Sequence, residues 1–183
     1  MDGRQTNGLV LEAERLRLTA MTLEALQAWV DGDAGRLAGA TGAVFDEPPT
    51  TPPLFGEDLP MFRDRMAETP EELGWWVWLV SRREDRRAVG VCGLGGRPGA
   101  EGAALIGYSV YPRFEGRGYA TEACRALVAW VLGQPGAILV RATVPAENHA
   151  SVAVLRKLGM VQVGVERHPE VGDVAVYETP ALP

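Results

Sequence analysis

Residues 104–144 carry the feature that most restricts the fold. "ALIGYSVY" (104–111) reads as a strand, and "PRFEGRGY" (112–119) is a turn rich in glycine and arginine. Residues 117–132 then place Ala120, Cys124, Leu127, Val128 and Val131 at helical spacing, and "AILVRATV" (137–144) is a continuous apolar strand. A strand, a helix and a second strand in that order make a crossover, which brings the two strands parallel in one sheet with the helix on its face. The continuous apolar run suits a strand covered on both sides.

The flanking segments complete a mixed sheet. "RLRLTAM" (15–21) alternates as a first strand. Thr22 is placed to cap a helix through "LEALQAWV", whose Leu23, Leu26, Trp29 and Val30 form one apolar face. From Asp46 to Pro60, "DEPPTTPPLFGEDLP" holds five prolines, which exclude regular structure and predict a stiff acidic loop; "MFRDRMAE" after it reads as a short helix. "WWVWLVSR" (75–82) and "AVGVCGLGG" (88–96) read as strands joined by the charged turn "REDRR", so that with 104–111 they form an antiparallel meander. "HASVAVLRKL" (149–158) is a helix with Gly159 as its C′ residue and Arg156 and Lys157 in its last turn. "MVQVGVERH" and "DVAVYET" form a closing hairpin. The order is β-α-α-β-β-β-α-β-α-β-β, an α+β chain with a mixed sheet. Its length of 183 residues suits one domain, taken as 9–180 with a flexible N-terminus over 1–8.

The turn at 113–121 is an anion cradle by its chemistry. The first N–H groups of a helix have no intrahelical partner, and the helix dipole adds positive potential there. Gly116 and Gly118 let the backbone approach a phosphate with no Cβ between them. Arg113 and Arg117 add forked donors or lie as solvated surface charges. A mononucleotide P-loop requires a Gly-Lys pair, which this chain lacks; a G-x-G-x-x-G fingerprint fails at Pro98 in one frame and at Thr121 in the other.

The spacing Arg113-x-x-Gly116-x-Gly118-x-Ala120 is similar to the R-x-x-G-x-G-x-A pyrophosphate loop of the GNAT superfamily of N-acyltransferases. "IGYSVYPRFEGRGYATEA" resembles the corresponding stretch of its RimJ/RimL-type branch, and "ENHASVAVLRKLGM" resembles that branch's second signature, with Met160 in place of the usual Phe. The resemblance implies a GNAT fold: a mostly antiparallel, seven-stranded mixed sheet flanked by about four helices. It implies acetyl-CoA as co-substrate, held by the N–H groups of residues 116–121 (Gly116, Arg117, Gly118, Tyr119, Ala120 and Thr121), with Arg113 beside them. It also implies that the strand backbone at Tyr108, Ser109 and Val110 pairs with the pantetheine arm.

Asn148 is placed to cap the helix at His149, and by resemblance also meets the pantetheine arm. Ser151 is either a small first-turn residue or, by resemblance, the donor that protonates the leaving thiolate. The branch also implies that Glu170 activates the acceptor amine. Two departures remove familiar acid–base groups: Leu155 stands where many relatives carry a Tyr, and Leu105 where the branch often carries an acid. Glu122 is expected to hold the helix entry, His149 and His168 to be surface residues, and Trp76 either to pack or to line the acceptor cleft, with Trp75 and Trp78 facing the other way.

Net charge of −6 argues against non-specific nucleic-acid binding and admits a cationic partner. The acidic loop residues Asp46, Glu47, Glu57 and Asp58 either draw such a partner in or form a solvated surface. Cys92 and Cys124 lie in apolar segments outside any C-x-x-C pair and read as buried, reduced thiols; with two histidines in the chain, a metal site is not expected. The polar "MDGRQTNG" start and the lack of a long apolar run predict a cytoplasmic protein that does not span a membrane. Direct attack of an amine on the acetyl thioester is the implied reaction, with a protein N-terminus, polyamine, aminoglycoside-like drug or amino-acid derivative as acceptor. A GNAT-fold module that holds acyl-CoA without efficient catalysis is the alternative. The resemblance also makes a homodimer an expectation.

Overall fold

The computed structural model describes residues 8–46, 48–169 and 171–180. The strands are β1 (Val10–Glu12), β2 (Leu16–Ala20), β3 (Val77–Arg82), β4 (Ala88–Leu94), β5 (Ala103–Val110), β6 (Leu139–Pro145), β7 (Val161–His168) and β8 (Gly172–Glu178). They form one sheet in the order β1-β2-β3-β4-β5-β6-β8-β7. Its neighbours are antiparallel except β5 and β6, the pair joined by the crossover. The helices are α1 (Leu23–Val30), α2 (Ala34–Thr41), α3 (Leu59–Glu68), α4 (Tyr119–Leu132) and α5 (His149–Lys157).

The expected seven strands and about four helices need two additions. β1 is three residues long, too short for a period, and exists through its pairing of Val10 with Thr19 and Glu12 with Arg17. α2 is "AGRLAGAT", which buries Leu37 and Thr41 and so has no apolar stripe. Its ends define it instead: the Asp33 side chain accepts the Arg36 N–H at 2.9 Å, and Gly42 stops it at φ 69°.

Other signals act as the residues dictate. The Thr22 hydroxyl accepts the Ala25 N–H at 3.2 Å, starting α1. α5 ends in a Schellman motif, with the Gly159 N–H on the Arg156 carbonyl at 3.0 Å, the Met160 N–H on that of Leu155 at 3.1 Å, and Gly159 at φ 77°. α4 buries Cys124, Leu127 and Val131 completely against the sheet. Leu16, Leu18, Trp78 and Val140 are equally inaccessible, and each large apolar side chain so buried contributes ~1.5–3 kcal/mol relative to exposure.

The tryptophans face as expected, Trp76 opposite Trp75 and Trp78, but not as members of one strand over 75–82. β3 begins at Val77, and Trp75 and Trp78 both face α4, with ring centroids 5.1 Å and 5.4 Å from Trp130. Gly74, at φ 94°, allows the bend before the strand, and Trp76 turns away to meet Phe62 at 6.5 Å.

One irregularity prepares the site. β5 and β6 pair only from Ala103↔Leu139 to Leu105↔Arg141. β5 nevertheless runs on to Val110 and β6 to Pro145, so the two strands separate beyond Leu105 and leave a wedge at the centre of the sheet.

Candidate active site

The glycine turn stands at the mouth of this wedge. Gly116 and Gly118 take φ 71° and φ 79°, a region closed to most side chains, and Gly118 is the N-cap of α4 without any side-chain cap. The first helical bond runs from the Glu122 N–H to the Gly118 carbonyl at 3.0 Å. The N–H groups of residues 116–121 have no acceptor among the described residues, and a Cβ at Gly116 would meet nothing within 4 Å. Six uncommitted donors at the positive end of a 14-residue helix form a cradle for an anion of phosphate type. Tyr119 and Thr121 bury their side chains and Ala120 is half-buried, so these three can contribute only backbone.

Along β5 the hydrogen-bonding direction alternates. The Leu105 carbonyl accepts from Gly95, and the Tyr111 N–H donates to Val89, so residues 105, 107, 109 and 111 turn their backbone to β4. Tyr108 and Val110 therefore direct theirs into the wedge, where an extended ligand can complete the sheet. Ser109 lies differently: its backbone faces β4, and its hydroxyl donates to the Pro53 carbonyl at 2.7 Å.

Across the wedge, the Asn148 side chain accepts the Ser151 N–H at 3.1 Å and caps α5. The Tyr108 hydroxyl donates to the Ser151 carbonyl at 3.0 Å and ties β5 to α5. Burial pushes the Tyr108 phenol well above its ordinary range, with Cys124 nearby adding to the shift. The structure thus brings Tyr108, Asn148 and Ser151 to one place. Leu155 is fully buried and cannot offer a proton-transfer position.

The two expected phosphate arginines have protein partners. Arg113 pairs with Asp46, which also accepts from Arg87 at 2.9 Å, and its guanidinium lies 4.9 Å from the Phe114 ring centre. Hydrogen bonding from Arg113, supported by Arg87, holds the Asp46 carboxyl below its usual range. Arg117 lies over Phe114 at 5.8 Å and donates to the Arg113 carbonyl at 3.4 Å. Sequence reasoning missed Arg15, which bonds Glu122 at 2.8 Å, donates to the Arg117 carbonyl at 3.2 Å and stacks 5.0 Å from the Tyr119 ring centre. Glu122 thus clamps β2 to the start of α4, a pairing across more than a hundred residues with no local signal.

Cys92 and Tyr108 are cross-strand partners and so share a face of the sheet, the α4 side, where Cys124 of α4 lies close to both. The pairs Val91↔Ser109 and Gly93↔Gly107 consequently face the other way. There they floor a cleft of about 430 Å³, a size typical of small-molecule sites. Its roof comes from the proline-rich loop and α3, through Leu54, Phe55, Met61 and Phe62; Trp76 forms a wall. Gly107 of β5 and Thr143 of β6 both line it, so the cleft is continuous with the wedge. The roof loop is latched by Asp46 on Arg87 and Arg113, by the Tyr111 hydroxyl on the Thr50 carbonyl at 2.6 Å, and by Ser109 on Pro53. The stiff loop over 46–60 gave the only sequence signal for this roof.

Glu170 and Glu47 lie outside the described residues. His149 and His168 are exposed. Cys92 and Cys124 are free thiols, fully enclosed, and burial pushes both well above their ordinary range. No helix among the described residues is long and apolar enough to cross a membrane, and no group of His, Cys, Asp and Glu among them is placed to hold a metal ion.

The family model of the acetyltransferase (GNAT) domain matches residues 15–161. The chain is 26% identical over 153 residues to a Bacillus subtilis (strain 168) protein named "Uncharacterized N-acetyltransferase YjdG", spanning 84% of this chain and 90% of that one. Among solved structures, RimL, the ribosomal L7/L12 alpha-N-protein acetyltransferase in complex with coenzyme A, aligns with a TM-score of 0.68 at 19% identity, covering 94% of this chain and 98% of that one. A GNAT-family acetyltransferase from Bacillus anthracis aligns with a TM-score of 0.62 at 22% identity, covering 93% of this chain and 97% of that one. At these identities the structural likenesses speak to the fold, and the family match speaks to the chemistry. By that match the chain belongs to the GNAT acetyltransferase family, as an acetyl-CoA-dependent N-acetyltransferase with RimL among its structural neighbours.

Proposed function

We propose that the chain transfers an acetyl group to a primary amine, by direct attack of the neutral amine on the thioester. The observation that carries this reading is that the cradle, the wedge and the cleft are all built on β5 and the turn after it. A phosphate-sized anion site leads to an open strand edge, which leads to an apolar cleft on the same sheet. Acetyl-CoA supplies the activated acetyl thioester. The chain's own part begins at Gly116–Thr121, whose N–H groups hold the pyrophosphate, and continues at Tyr108 and Val110, whose backbone groups hold the pantetheine arm as an added strand. Asn148 fixes the start of α5, and Ser151 in its first turn protonates the departing thiolate. RimL's name states an action on a protein α-amine, which supports an amine acceptor here.

The acceptor must lose a proton. At pH 7 an alkylamine with pKa near 10.4 is neutral in fewer than about one molecule in a thousand, and an α-amine near 8 in roughly a tenth. Glu170 is the proposed acceptor of that proton, a step typically worth ~10²–10⁴-fold. Positioning within the cleft supplies the rest. The absence of a Tyr at Leu155 and of an acid at Leu105 favours a second reading, an acyl-CoA-binding module with little turnover. A homodimer fits the exposed edge strand β7, where Val161, Val163 and Val165 face solvent. Thiol release from acetyl-CoA in the presence of amines decides between enzyme and module. Amine-dependent release is expected, and tight CoA binding with no release above hydrolysis would favour the module.

A further inference from the structure

The cleft beside the wedge selects among amines. Its roof and walls are apolar: Leu54, Phe55, Met61, Phe62, Trp76 and Leu105. The aromatic part is built before any ligand arrives. Trp29 stands 5.3 Å from Phe55, Phe55 stacks on Phe62 at 5.5 Å with 18° between planes, and Phe62 meets Trp76 at 6.5 Å. Trp76 is held from outside by its indole N–H donating to Glu72 at 2.9 Å, which keeps that carboxylate off the cleft. A ligand entering this cavity does not have to order its walls.

Leu54 supplies a separate observation. It sits at φ 63° and is 90% exposed. A leucine in the left-handed region is a strained residue, and here neither burial nor a hydrogen bond of its own accounts for the strain. The strain sets the side chain at the lip of the cleft, fixed between latches at Thr50, Pro53 and Phe55. Met61 at 42% and Leu105 at 46% exposure share the same mouth. Exposed apolar side chains gathered around one opening mark a surface that a ligand covers.

Among the described residues lining the cleft, Asp58 is the one carboxylate, and it has no ion pair or side-chain hydrogen bond. One ammonium can be met at its carboxylate. Along the described lining, a second ammonium would lie against rings and methylenes with no counter-charge, which disfavours it.

Resting on the transferase reading above, we infer that the acceptor is a primary monoamine carried on a compact apolar or aromatic body, and that Leu54 and Asp58 are its specificity residues. Polyamines and aminoglycosides are poor acceptors. The amine-bearing end points to the wedge, where Gly107 leaves open space because a Cβ there would meet nothing within 4 Å.

The test uses the full chain and thiol release from acetyl-CoA with 2-phenylethylamine, spermidine, an aminoglycoside, and tripeptides beginning with Phe or Ser. The expected result is a kcat/KM for 2-phenylethylamine at least tenfold above that for spermidine or the aminoglycoside. The Phe peptide exceeding 2-phenylethylamine would assign the same chemistry to a protein N-terminus. Leu54→Gly keeps the backbone angle, relieves its strain and removes the side chain; it should raise the KM for 2-phenylethylamine about tenfold with kcat unchanged and the melting temperature not lowered. Asp58→Asn should raise the same KM severalfold without altering that for acetyl-CoA. Preference for spermidine or the aminoglycoside overturns the inference and leaves the transferase reading intact. So does loss of hexanoyl-CoA use in Leu54→Gly with the amine KM unchanged, which gives the cleft to the acyl chain. If no amine is turned over, calorimetry of 2-phenylethylamine with the CoA-loaded protein decides. Binding that Leu54→Gly weakens about tenfold upholds the ligand class while the transferase reading falls; absent binding, or binding that Leu54→Gly leaves unchanged, overturns both.

Discussion

Replacing Gly118 with Ala separates the folding role of the glycine turn from its binding role. Gly118 holds φ 79° and ψ 6°, and a Cβ there would find its nearest neighbour, an Arg15 guanidinium nitrogen, at 3.5 Å. That is ordinary contact, so the cost is conformational. An alanine in the left-handed region costs about 1–2 kcal/mol. For a chain of 183 residues, this corresponds to a fall in melting temperature of roughly 2–8 °C without ligand. Ligand response is a different quantity. Coenzyme A at ~100 times its Kd should stabilise the parent by about 2.7 kcal/mol. An alanine that relieves its strain by leaving φ 79° turns the first N–H groups of α4 away from their common focus, so the variant should lose most of that stabilisation. Gly116→Ala carries the same class of strain in open space and serves as a parallel case. Thermal unfolding with and without CoA, monitored by tryptophan fluorescence, reads both numbers. A variant that melts lower alone yet gains the full CoA shift would refute the reasoning, because the donors of residues 116–121 would then not be the anchor.

Ser151→Ala should lower kcat by about 10²-fold while leaving the KM for acetyl-CoA unchanged, since the Asn148 cap uses the backbone N–H of Ser151; steady-state kinetics checks it. Asp46 has a depressed pKa in the folded chain, so its pairing with Arg113 and Arg87 is fully present above the ordinary carboxylate value of about 3.9 and is lost as pH falls below it. Asp46→Asn should therefore lower stability at pH 7 and flatten its decline between about pH 4 and pH 2, as measured by urea unfolding across that range. Cys92 and Cys124 should resist a charged aromatic disulfide reagent at pH 8 in the native protein and react fully in denaturant; rapid native reaction would contradict their enclosure.

The glycine turn and the cap of α5 were legible because their signals are local. Gly116 and Gly118 are read from backbone geometry that few other residues adopt, and the helix after them is read from apolar spacing within one turn or two. The Asn148 cap and the Schellman end at Gly159 are equally local, each a matter of three to five consecutive residues. β1 and α2 were not legible, because one is defined by its partner strand and the other by its caps. Strict alternation would set Trp78 with Trp76 and opposite Trp75; Trp75 and Trp78 instead share a face against Trp130, because Trp75 precedes β3 and the chain bends at Gly74.

Of the apolar cleft, the sequence offered only Trp76 and the stiff loop over 46–60, for a physical reason. Its walls come from the proline-rich loop, α3, the segment at Trp76 and two strands, and they meet only after the sheet has formed. The same holds for Arg113, whose charge the spacing offers to a phosphate while the fold sets Asp46 beside it. By itself the sequence determined the crossover, the glycine cradle and hence the family, since these depend on dihedral preference and short-range periodicity. Tertiary structure alone decided the wedge between β5 and β6, the clamp of Glu122 on Arg15 and the apolar cleft, since contacts between distant segments leave no mark in the local order of residues.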